Sequence, residues 1–430
     1  MDRRDIKNLV HNYKNEIIRF IQDLVKIPSE NDPPGGNELK AQMFLAEWLK
    51  KNDIEYDVFT PFDIKGILKH EAYWPGRNYK NRPNIVARLK GIGNGRSVML
   101  SGHIDTVSGK LGRWKVSTPF SGKVIGERLY GRGSMDMKGG LGASAFLLKI
   151  LKENNIKING DVLFESVVDE EYCGSNGSLA GRLRGYNPDV VIIPETTNLS
   201  ICPACKGCKI YEIKIEGTPG HSSDTKKLNP IFAIARIIDA LNVFETIINY
   251  KKNKSGFFQM ENNPRKIAIG KLCTTPELSD SEFGMPNEAK VSVVVLTLPG
   301  FDEKDLDSEL IGFIKNYCSI DPILNRFVLS KCEPVIKGKT RYVSPVENDV
   351  DHPIFKVILD NYELLLNRKP TFEGAKFACD AFIFTNYFSI PTVIFGPKGG
   401  NAHGPDEWVD INSIFDFMTV MLATILKWCN

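Results

Sequence analysis

Five residues of this chain combine metal-binding chemistry with similar surroundings. Each is a histidine or an acid in a short polar or glycine-rich segment at the carboxyl end of a predicted strand: His103, Asp136, Glu171, Glu195 and His403. Imidazole nitrogen and carboxylate oxygen are ligands that zinc accepts in proteins. Any one of them has the ordinary explanation of a solvated loop residue. Five that can converge on one edge of a sheet favour a metal centre.

His103 and Asp105 are two residues apart in a Gly-His-Ile-Asp segment. In extended backbone this spacing puts both side chains on the same face. Asp105 can therefore accept the second ring N–H of His103 and determine which ring nitrogen faces a metal.

Asp169, Glu170 and Glu171 form an acidic run directly after the apolar residues 162–168. Adjacent carboxylates are costly unless cations or solvent compensate their charge. A bound cation and an exposed acidic turn both satisfy this condition.

Asp136 lies in a glycine-rich turn, residues 131–140, that opens a predicted helix. Such turns often bind phosphate, so a nucleotide-binding transferase is an alternative. The segment has neither the GxGxxG nor the GK[ST] pattern, which disfavours that alternative. A carboxylate at this turn can instead bridge two cations.

The predicted elements that position these residues alternate between strand and helix. Apolar runs predict strands at 85–89, 98–100, 162–168, 190–193 and 392–395, and apolar periodicity predicts helices at 6–25, 39–49, 139–151 and 411–428. This order indicates an α/β fold whose active groups lie at the strand carboxyl ends.

The middle of the chain has a different order of elements. Strands are predicted at 208–215, 267–273, 290–298 and 326–332, with helices at 230–250 and 304–317. This is the split βαβ, or ferredoxin-like, arrangement. We therefore expect a discontinuous metal-binding catalytic domain at 1–206 and 337–430, with an inserted α+β domain at 207–336.

Composition narrows the class of protein. The 42% hydrophobic and 25% charged content is that of a folded globular chain, and a net charge of +3 over 430 residues argues against nucleic acid or a membrane surface as a partner. The sequence has no apolar stretch of about 18 residues. Nine scattered cysteines, an odd number, favour a reducing cytoplasm. Residues 60–83 are interpreted as a surface excursion, with the rim of a site as the alternative.

As a set, the motifs resemble a family of zinc aminoacylases and peptidases that includes acetylornithine deacetylase, succinyl-diaminopimelate desuccinylase and bacterial glutamate carboxypeptidase. The resemblance extends in order from Ser101 to Glu407. It is carried by Gly102-His103-x-Asp105, Gly133-x-x-Asp136-Met-Lys-Gly-Gly, Asp169-Glu170-Glu171, Gly217-Thr-Pro-Gly-His221-Ser-Ser and Ala402-His403-Gly-Pro-x-Glu407. It implies a mixed-sheet, zinc-peptidase-like catalytic domain with an inserted ferredoxin-like α+β lid and dimerisation domain.

The resemblance also implies a role for each site residue. His103 and Glu195 would hold one zinc ion, Glu171 and His403 the other, and Asp136 would bridge the two, with cobalt or manganese as alternative metals. Glu170 would be the general base for the attacking water, and Asp105 would orient His103.

His221 lies in the inserted domain. By resemblance it would reach across a homodimer to stabilise the oxyanion in the partner's site, and the two domains would close over the substrate. The alternative is a local helix-capping role before the helix predicted at 230–250.

The chain departs from relatives that bind α-carboxylate substrates. Leu296 and Phe382 stand where those relatives commonly have arginine, and Phe283 stands where they often have asparagine. Leucine and phenylalanine cannot form the two-pronged contact that arginine makes with a carboxylate. Either other groups (Lys376, Lys398 or Asn401) bind that carboxylate in an acetylornithine-type deacylase, or the substrate lacks it, as in the formamidopyrimidine deformylases of the wider family. A metallo-carboxypeptidase or dipeptidase is a further alternative.

Two other hypotheses follow from the sequence. Cys202, Cys205 and Cys208 form a C-x2-C-x2-C pattern that could begin a third metal site, although no fourth ligand is evident nearby. A metal-binding protein that kept the fold without activity is the non-enzyme alternative, which loss of Glu170 or of a ligand would have favoured. The sequence retains all of them.

Overall fold

The computed structural model describes residues 3–173, 176–250, 255–259, 261–275, 284–334 and 342–430. Its α-helices are α1 (Arg3–Asn12), α2 (Lys14–Lys26), α3 (Leu39–Lys51), α4 (Gly139–Glu153), α5 (Asn176–Leu183), α6 (Pro230–Tyr250), α7 (Glu303–Ile320), α8 (Pro353–Leu366) and α9 (Ile411–Trp428). Its strands are β1 (Glu55–Phe59), β2 (Asn84–Leu89), β3 (Val98–His103), β4 (Lys123–Ile125), β5 (Arg128–Tyr130), β6 (Val162–Val167), β7 (Val190–Ile193), β8 (Ile201–Cys205), β9 (Gly207–Glu216), β10 (Gly220–His221), β11 (Ile267–Thr275), β12 (Gly284–Met285), β13 (Glu288–Thr297), β14 (Val328–Pro334), β15 (Tyr342–Val343), β16 (Val346–Glu347), β17 (Phe372–Ala375), β18 (Thr392–Ile394), β19 (Gly399–Gly400) and β20 (Trp408–Asp410).

The chain divides into two compact units. The first comprises residues 1–204, 348–375 and 379–430, and the second comprises 205–347 with 376–378. The predicted junctions between the two domains are at 206/207 and 336/337. Tyr342–Val343 pairs with β9, which is why the second junction in the structure lies further along the chain.

The first unit is built on a mixed sheet, so the predicted mixed α/β class is confirmed. Its strands follow the order β1-β2-β6-β3-β7-β18-β8, with β17 also paired to β8. β3, β6, β7 and β18 run parallel to their neighbours within that group, while β1, β2 and β8 are antiparallel additions. Parallel strands place their carboxyl ends at one edge, and the loops that carry the candidate ligands begin there.

Helices α2, α4 and α9 supply much of the first unit's core. The apolar faces of these helices, including Ile21, Leu147 and Met421, are fully buried together with the sheet residues Leu100 and Phe164. α9 has the length and mean hydropathy of a candidate membrane span, but 72% of its 18-residue window is buried. It is therefore a core helix. The statement that the sequence has no apolar stretch of about 18 residues overlooked this helix, whose apolar residues pack in the core.

The second unit contains an antiparallel sheet in the order β11-β13-β9-β14, with β15 beside β9. Counted along the chain, these four long strands have the order expected for a split βαβ arrangement. Along β13 buried and half-buried residues alternate strictly, so one face of the strand packs into a core. Helices α6 and α7 complete that core.

The interpretation of residues 60–83 as a surface excursion holds for only part of the segment, in which exposed residues such as Phe62 and Leu68 alternate with buried ones. Tyr73, Trp74 and Tyr79 are buried, and so are the side chains of Arg77 and Arg82. The two arginines are buried because acidic partners from distant parts of the chain neutralise them: Asp169 of the acidic run, and Glu38 directly before α3.

Candidate metal centre

The five candidate ligands lie on loops at one edge of the first unit's sheet. β3 ends at His103 itself, because its pairing with β6 continues as far as the His103 and Val167 positions. Glu171 follows β6, Glu195 follows β7, and His403 follows β18. Asp136 precedes α4 in the glycine-rich turn.

His103, Asp136 and Glu195 form one cluster of ligand atoms. The Nε2 atom of His103 is 3.1 Å from Asp136 Oδ1 and 3.3 Å from Glu195 Oε1. The His103 ring is almost completely buried, with 1% of its side chain exposed, so this cluster lies at the inner end of the site.

Asp136, Glu171 and His403 form a second cluster of ligand atoms. The Nε2 atom of His403 is 3.1 Å from Asp136 Oδ2 and 2.9 Å from Glu171 Oε2. Half of the His403 side chain is exposed, so this cluster faces solvent. Asp136 thus directs one carboxylate oxygen to each cluster, as a bridging ligand requires.

The ionisation of these groups reflects the concentration of acids. Burial opposes the charged form of His403, but hydrogen bonds to Asp136 and Glu171 outweigh it and raise the pKa of His403 to about 11. Burial, followed by the charge of Asp136, raises the pKa of Glu171 to about 7. Burial opposes ionisation of Asp136, yet hydrogen bonds to the two histidines hold its pKa well below the usual range. The two histidines therefore stabilise the charged form of Asp136.

Asp105 contacts His103 in a different way from the one predicted. The Nδ1 atom of His103 is 2.9 Å from the backbone oxygen of Asp105 and 3.6 Å from the carboxylate oxygen Oδ1. A carbonyl oxygen only accepts, so Nδ1 carries the proton and Nε2 faces the other ligands. The carboxylate of Asp105 instead accepts from the backbone N–H groups of Glu170, at 3.3 Å, and Glu171, at 3.0 Å.

Glu170 belongs to neither ligand cluster but lies beside the inner one. Its Oε2 atom is 3.8 Å from His103 Nε2. Burial, opposed by the charge of His103 and assisted by the nearby Asp380, raises the pKa of Glu170 well above the usual range. A carboxylate with high proton affinity beside a metal cluster has the properties of a general base.

Asp169 faces away from the ligands and is held by what we call the Asp169 network: Asn31, Arg77, Tyr79 and Arg82. Two buried arginines therefore compensate the charge of Asp169. The expected source of that compensation was a bound cation or solvent. The arginines were missed because their partner is about 90 residues away in sequence.

Glu407 joins two of the ligand loops. Its carboxylate accepts from Arg132 Nη1 at 2.6 Å and from the backbone N–H groups of Met135, at 2.9 Å, and Asp136, at 3.1 Å. Arg132 also donates to the backbone oxygen of His403 at 3.2 Å. Glu407 and Arg132 were named only as parts of motifs, and the structure places them where they couple the Asp136 and His403 positions.

The remaining site candidates are not brought into either cluster. His221 is exposed in the second unit, where its Nδ1 atom lies 2.8 Å from Ser223 Oγ. Lys376 is exposed and belongs to the second unit, whereas Lys398 and Asn401 belong to the first. Asn401 donates to the backbone oxygen of Asp406 at 3.2 Å, which shapes the loop before β20.

The positions that depart from carboxylate-binding relatives have apolar surroundings. Leu296 is half-buried on β13, opposite Cys208 of β9. Phe382 is buried in the first unit, with its ring 6.1 Å from that of Tyr387 in an edge-to-face arrangement. Phe283 lies outside the described residues.

The cysteine pattern does not form a metal cluster in the described part of the chain. Cys202 and Cys205 lie on β8 and Cys208 on β9, all buried. Residues three apart on a strand point to opposite faces, so β8 separates the first two side chains. Among the described residues, the groups that could hold a metal ion are the two clusters that share Asp136.

Residues 99–427 match peptidase family M20/M25/M40. The chain belongs to this family. Among M20 relatives, it is 24% identical over 445 residues to an N-formyl-4-amino-5-aminomethyl-2-methylpyrimidine deformylase of Bacillus subtilis, covering 99% of this chain and 97% of the relative. It is 28% identical over 445 residues to a probable succinyl-diaminopimelate desuccinylase of Staphylococcus aureus, covering 96% and 98%. A dinuclear metal-binding M20 peptidase of Bacillus subtilis matches in structure with a TM-score of 0.61 at 16% identity, covering 97% of this chain and 99% of that chain.

The M20 match confirms the resemblance stated from the motifs. It makes the chain a hydrolytic enzyme, a metallo-hydrolase of amide bonds, in a family with dinuclear metal dependence. The nucleotide-binding and non-enzyme alternatives are set aside.

Proposed function

We propose that this enzyme hydrolyses the amide bond of a small N-acylated amine by means of two divalent cations, zinc in the first instance. One cation would be held by His103, Asp136 and Glu195, and the other by Asp136, Glu171 and His403. The observation that carries the proposal is the position of Asp136, whose two oxygens each lie 3.1 Å from a different histidine.

The donor set fits two such cations. Each cluster offers one imidazole nitrogen and two carboxylates, a mixed set that suits zinc, cobalt or manganese. Among the ion pairs of the described residues, no lysine or arginine pairs with Asp136, Glu171 or Glu195. Among the described ion pairs the basic partners of these three acids are His103 and His403, which are themselves candidate ligands. Three carboxylates held by two histidines leave an excess of negative charge, which bound cations would compensate.

Bound cations would supply Lewis acidity, which activates water and polarises the amide carbonyl. Glu170 would accept the proton of the attacking water on a carboxylate oxygen and deliver it to the leaving amine nitrogen. Asp105 would hold the Glu170 and Glu171 backbone in place while its own carbonyl fixes the His103 tautomer. Substrate contacts from Lys376, Lys398 and Asn401, and oxyanion stabilisation by the partner's His221 in a homodimer, belong to the same proposal.

Two candidate activities differ in whether the substrate carries a carboxylate beside the amide bond that is cleaved. An acetylornithine-type deacylase would bind a substrate carboxylate through lysine or amide groups. A deformylase-type enzyme would act on an amine without that carboxylate. The second candidate is favoured by Leu296 and Phe382, since neither can pair with an anion, and by the similarity to the Bacillus subtilis deformylase over nearly the whole chain.

A panel of N-acetyl and N-succinyl amino acids and an N-formyl aminomethylpyrimidine tests both the metal-dependent hydrolysis and the choice between the two candidates. We expect release of amine from at least one class, loss of activity after chelation and recovery with zinc or cobalt. Preference for the N-formyl compound would select the deformylase candidate. Hydrolysis of N-acyl amino acids alone would select the deacylase. Activity that survives exhaustive chelation would contradict the proposal itself.

A further inference from the structure

The acidic loop after β6 carries both the proposed base and a proposed ligand, yet its first residue faces the protein interior. Asp169 has a φ of +78°, a left-handed conformation that a non-glycine residue adopts only when its surroundings enforce it. Its carboxylate is fully buried and accepts from Arg77 Nε at 2.8 Å, Arg82 Nη2 at 3.1 Å and Tyr79 Oη at 2.5 Å. These contacts are what hold the turn in that conformation.

The Asp169 network also reaches the other side of the loop. Asn31 Nδ2 donates to Asp105 Oδ2 at 2.7 Å and to Asp169 Oδ1 at 3.3 Å, and Arg77 Nη2 donates to Asn31 Oδ1. Asp105 in turn accepts from the backbone of Glu170 and the residue after it. One connected set of hydrogen bonds therefore fixes the loop at Asp169 and again at Glu170.

Arg77 is the member of the network whose charge is dedicated to this loop. Arg82 also forms an ion pair with Glu38, whereas the described ion pairs of Arg77 lead to Asp169 alone. Arg77 donates further to the backbone oxygen of Gly35 at 3.2 Å and lies over the ring of Tyr172, 4.6 Å from its centroid. It precedes residue 99, where the M20 match begins, so no motif of the matched region includes it.

We propose that Arg77 is a positioning residue: through Asp169 it holds the loop that presents Glu170 to the attacking water and Glu171 to the outer cation. This inference rests on the proposed function, because it takes its meaning from the roles of those two glutamates. Arg77 itself contacts neither ligand cluster, so its effect is on the placement of the loop.

The matched control is Arg182, which is as buried as Arg77 and forms a two-pronged ion pair with Glu165 at 2.9 and 3.1 Å. Arg77→Met should lower kcat by about 10- to 100-fold and weaken zinc binding by a similar factor, the range for residues that orient metal ligands, with KM changed by less than about threefold. Arg182→Met should lose thermal stability to a similar extent, with kcat and zinc affinity within about threefold of the unchanged protein.

A double-mutant cycle separates positioning from general destabilisation. If Arg77 acts through Asp169, Arg77→Met combined with Asp169→Asn should reduce kcat no further than the more impaired single variant does. Multiplicative losses, or equal losses of kcat in Arg77→Met and Arg182→Met, would overturn the inference.

Zinc affinity, measured by equilibrium dialysis of the folded variants, distinguishes this inference from the proposed function. If the unchanged protein hydrolyses no amide on the panel, the proposed function fails. Weaker zinc binding by Arg77→Met than by Arg182→Met would still support positioning of the loop. Equal zinc binding by the two variants would overturn it.

Discussion

Replacing Glu170 with glutamine separates metal binding from proton transfer. Glutamine has the size and shape of glutamate, and the backbone N–H of residue 170 would keep its 3.3 Å contact to Asp105. Glu170 lies outside both ligand clusters, and its Oε2 atom is 3.8 Å from His103 Nε2. The change should therefore remove a proton acceptor and leave the ligands in place.

The expected magnitude follows from the role of Glu170. A positioned general base contributes about 10²- to 10⁴-fold to a rate, which corresponds to about 2.7–5.5 kcal/mol of activation free energy at about 1.36 kcal/mol per tenfold. Glu170 Oε2 lies 3.8 Å from His103 Nε2, beside the inner ligand cluster, so we expect the loss of kcat to lie within that range.

The neighbouring Glu171→Gln is the matched control, since it makes the same chemical change one residue later. Glu171 Oε2 is 2.9 Å from His403 Nε2 and belongs to the outer cluster. Metal analysis and steady-state kinetics of both variants should show Glu170→Gln with two metals and little turnover, and Glu171→Gln with fewer than two metals. Glu170→Gln with turnover close to that of the unchanged protein would refute the assignment of the base.

Three further predictions follow from the described contacts. Arg82→Met should lower the free energy of unfolding by about 3–5 kcal/mol in urea titration, because it leaves the buried Glu38 without its ion-pair partner; a loss below about 1 kcal/mol would contradict this. Burial raises the pKa of Asp380 from 3.8 to about 7, so the folded protein retains this proton where the unfolded chain has released it, and the stabilisation is present at low pH and is lost as the pH rises to about 7. Asp380→Asn removes this titration, so its unfolding free energy relative to the unchanged protein should increase from pH 5 to pH 7; a constant difference across that range would count against a buried, titrating Asp380. His221→Ala should lower kcat and leave metal content unchanged, and unaltered kinetics would remove His221 from the mechanism.

The sequence was sufficient for the elements with a strong apolar signal. β7, α6 and α9 occur at the predicted bounds, since each is a continuous apolar or amphipathic run. The candidate ligands other than Asp136 lie in polar segments that come after a predicted apolar strand, and the pairing of β3 with β7 brings His103 and Glu195 together.

The sequence could not predict features that depend on distant pairing. β5 and β20 are three residues each, which is too short for an alternation of apolar and polar residues to show in the sequence. They form by pairing with each other, with Tyr130 opposite Trp408. The sequence analysis did not predict α8, although one face of this helix is buried. Its apolar residues are nearly consecutive around Ile358, which hides the helical spacing of that face. Arg77 and Arg82 were assigned to the surface because a charged, aromatic segment is usually exposed, and only contact with Asp169 explains their burial.

The most direct test of the two-cation centre is stepwise reconstitution. Protein stripped by a chelator would be titrated with zinc while bound metal and hydrolysis of the amide panel are followed together. We expect binding to saturate at two ions per chain and amide hydrolysis to reach its full rate only then. Saturation at fewer than two ions, or full activity before any ion is bound, would contradict the centre built around Asp136.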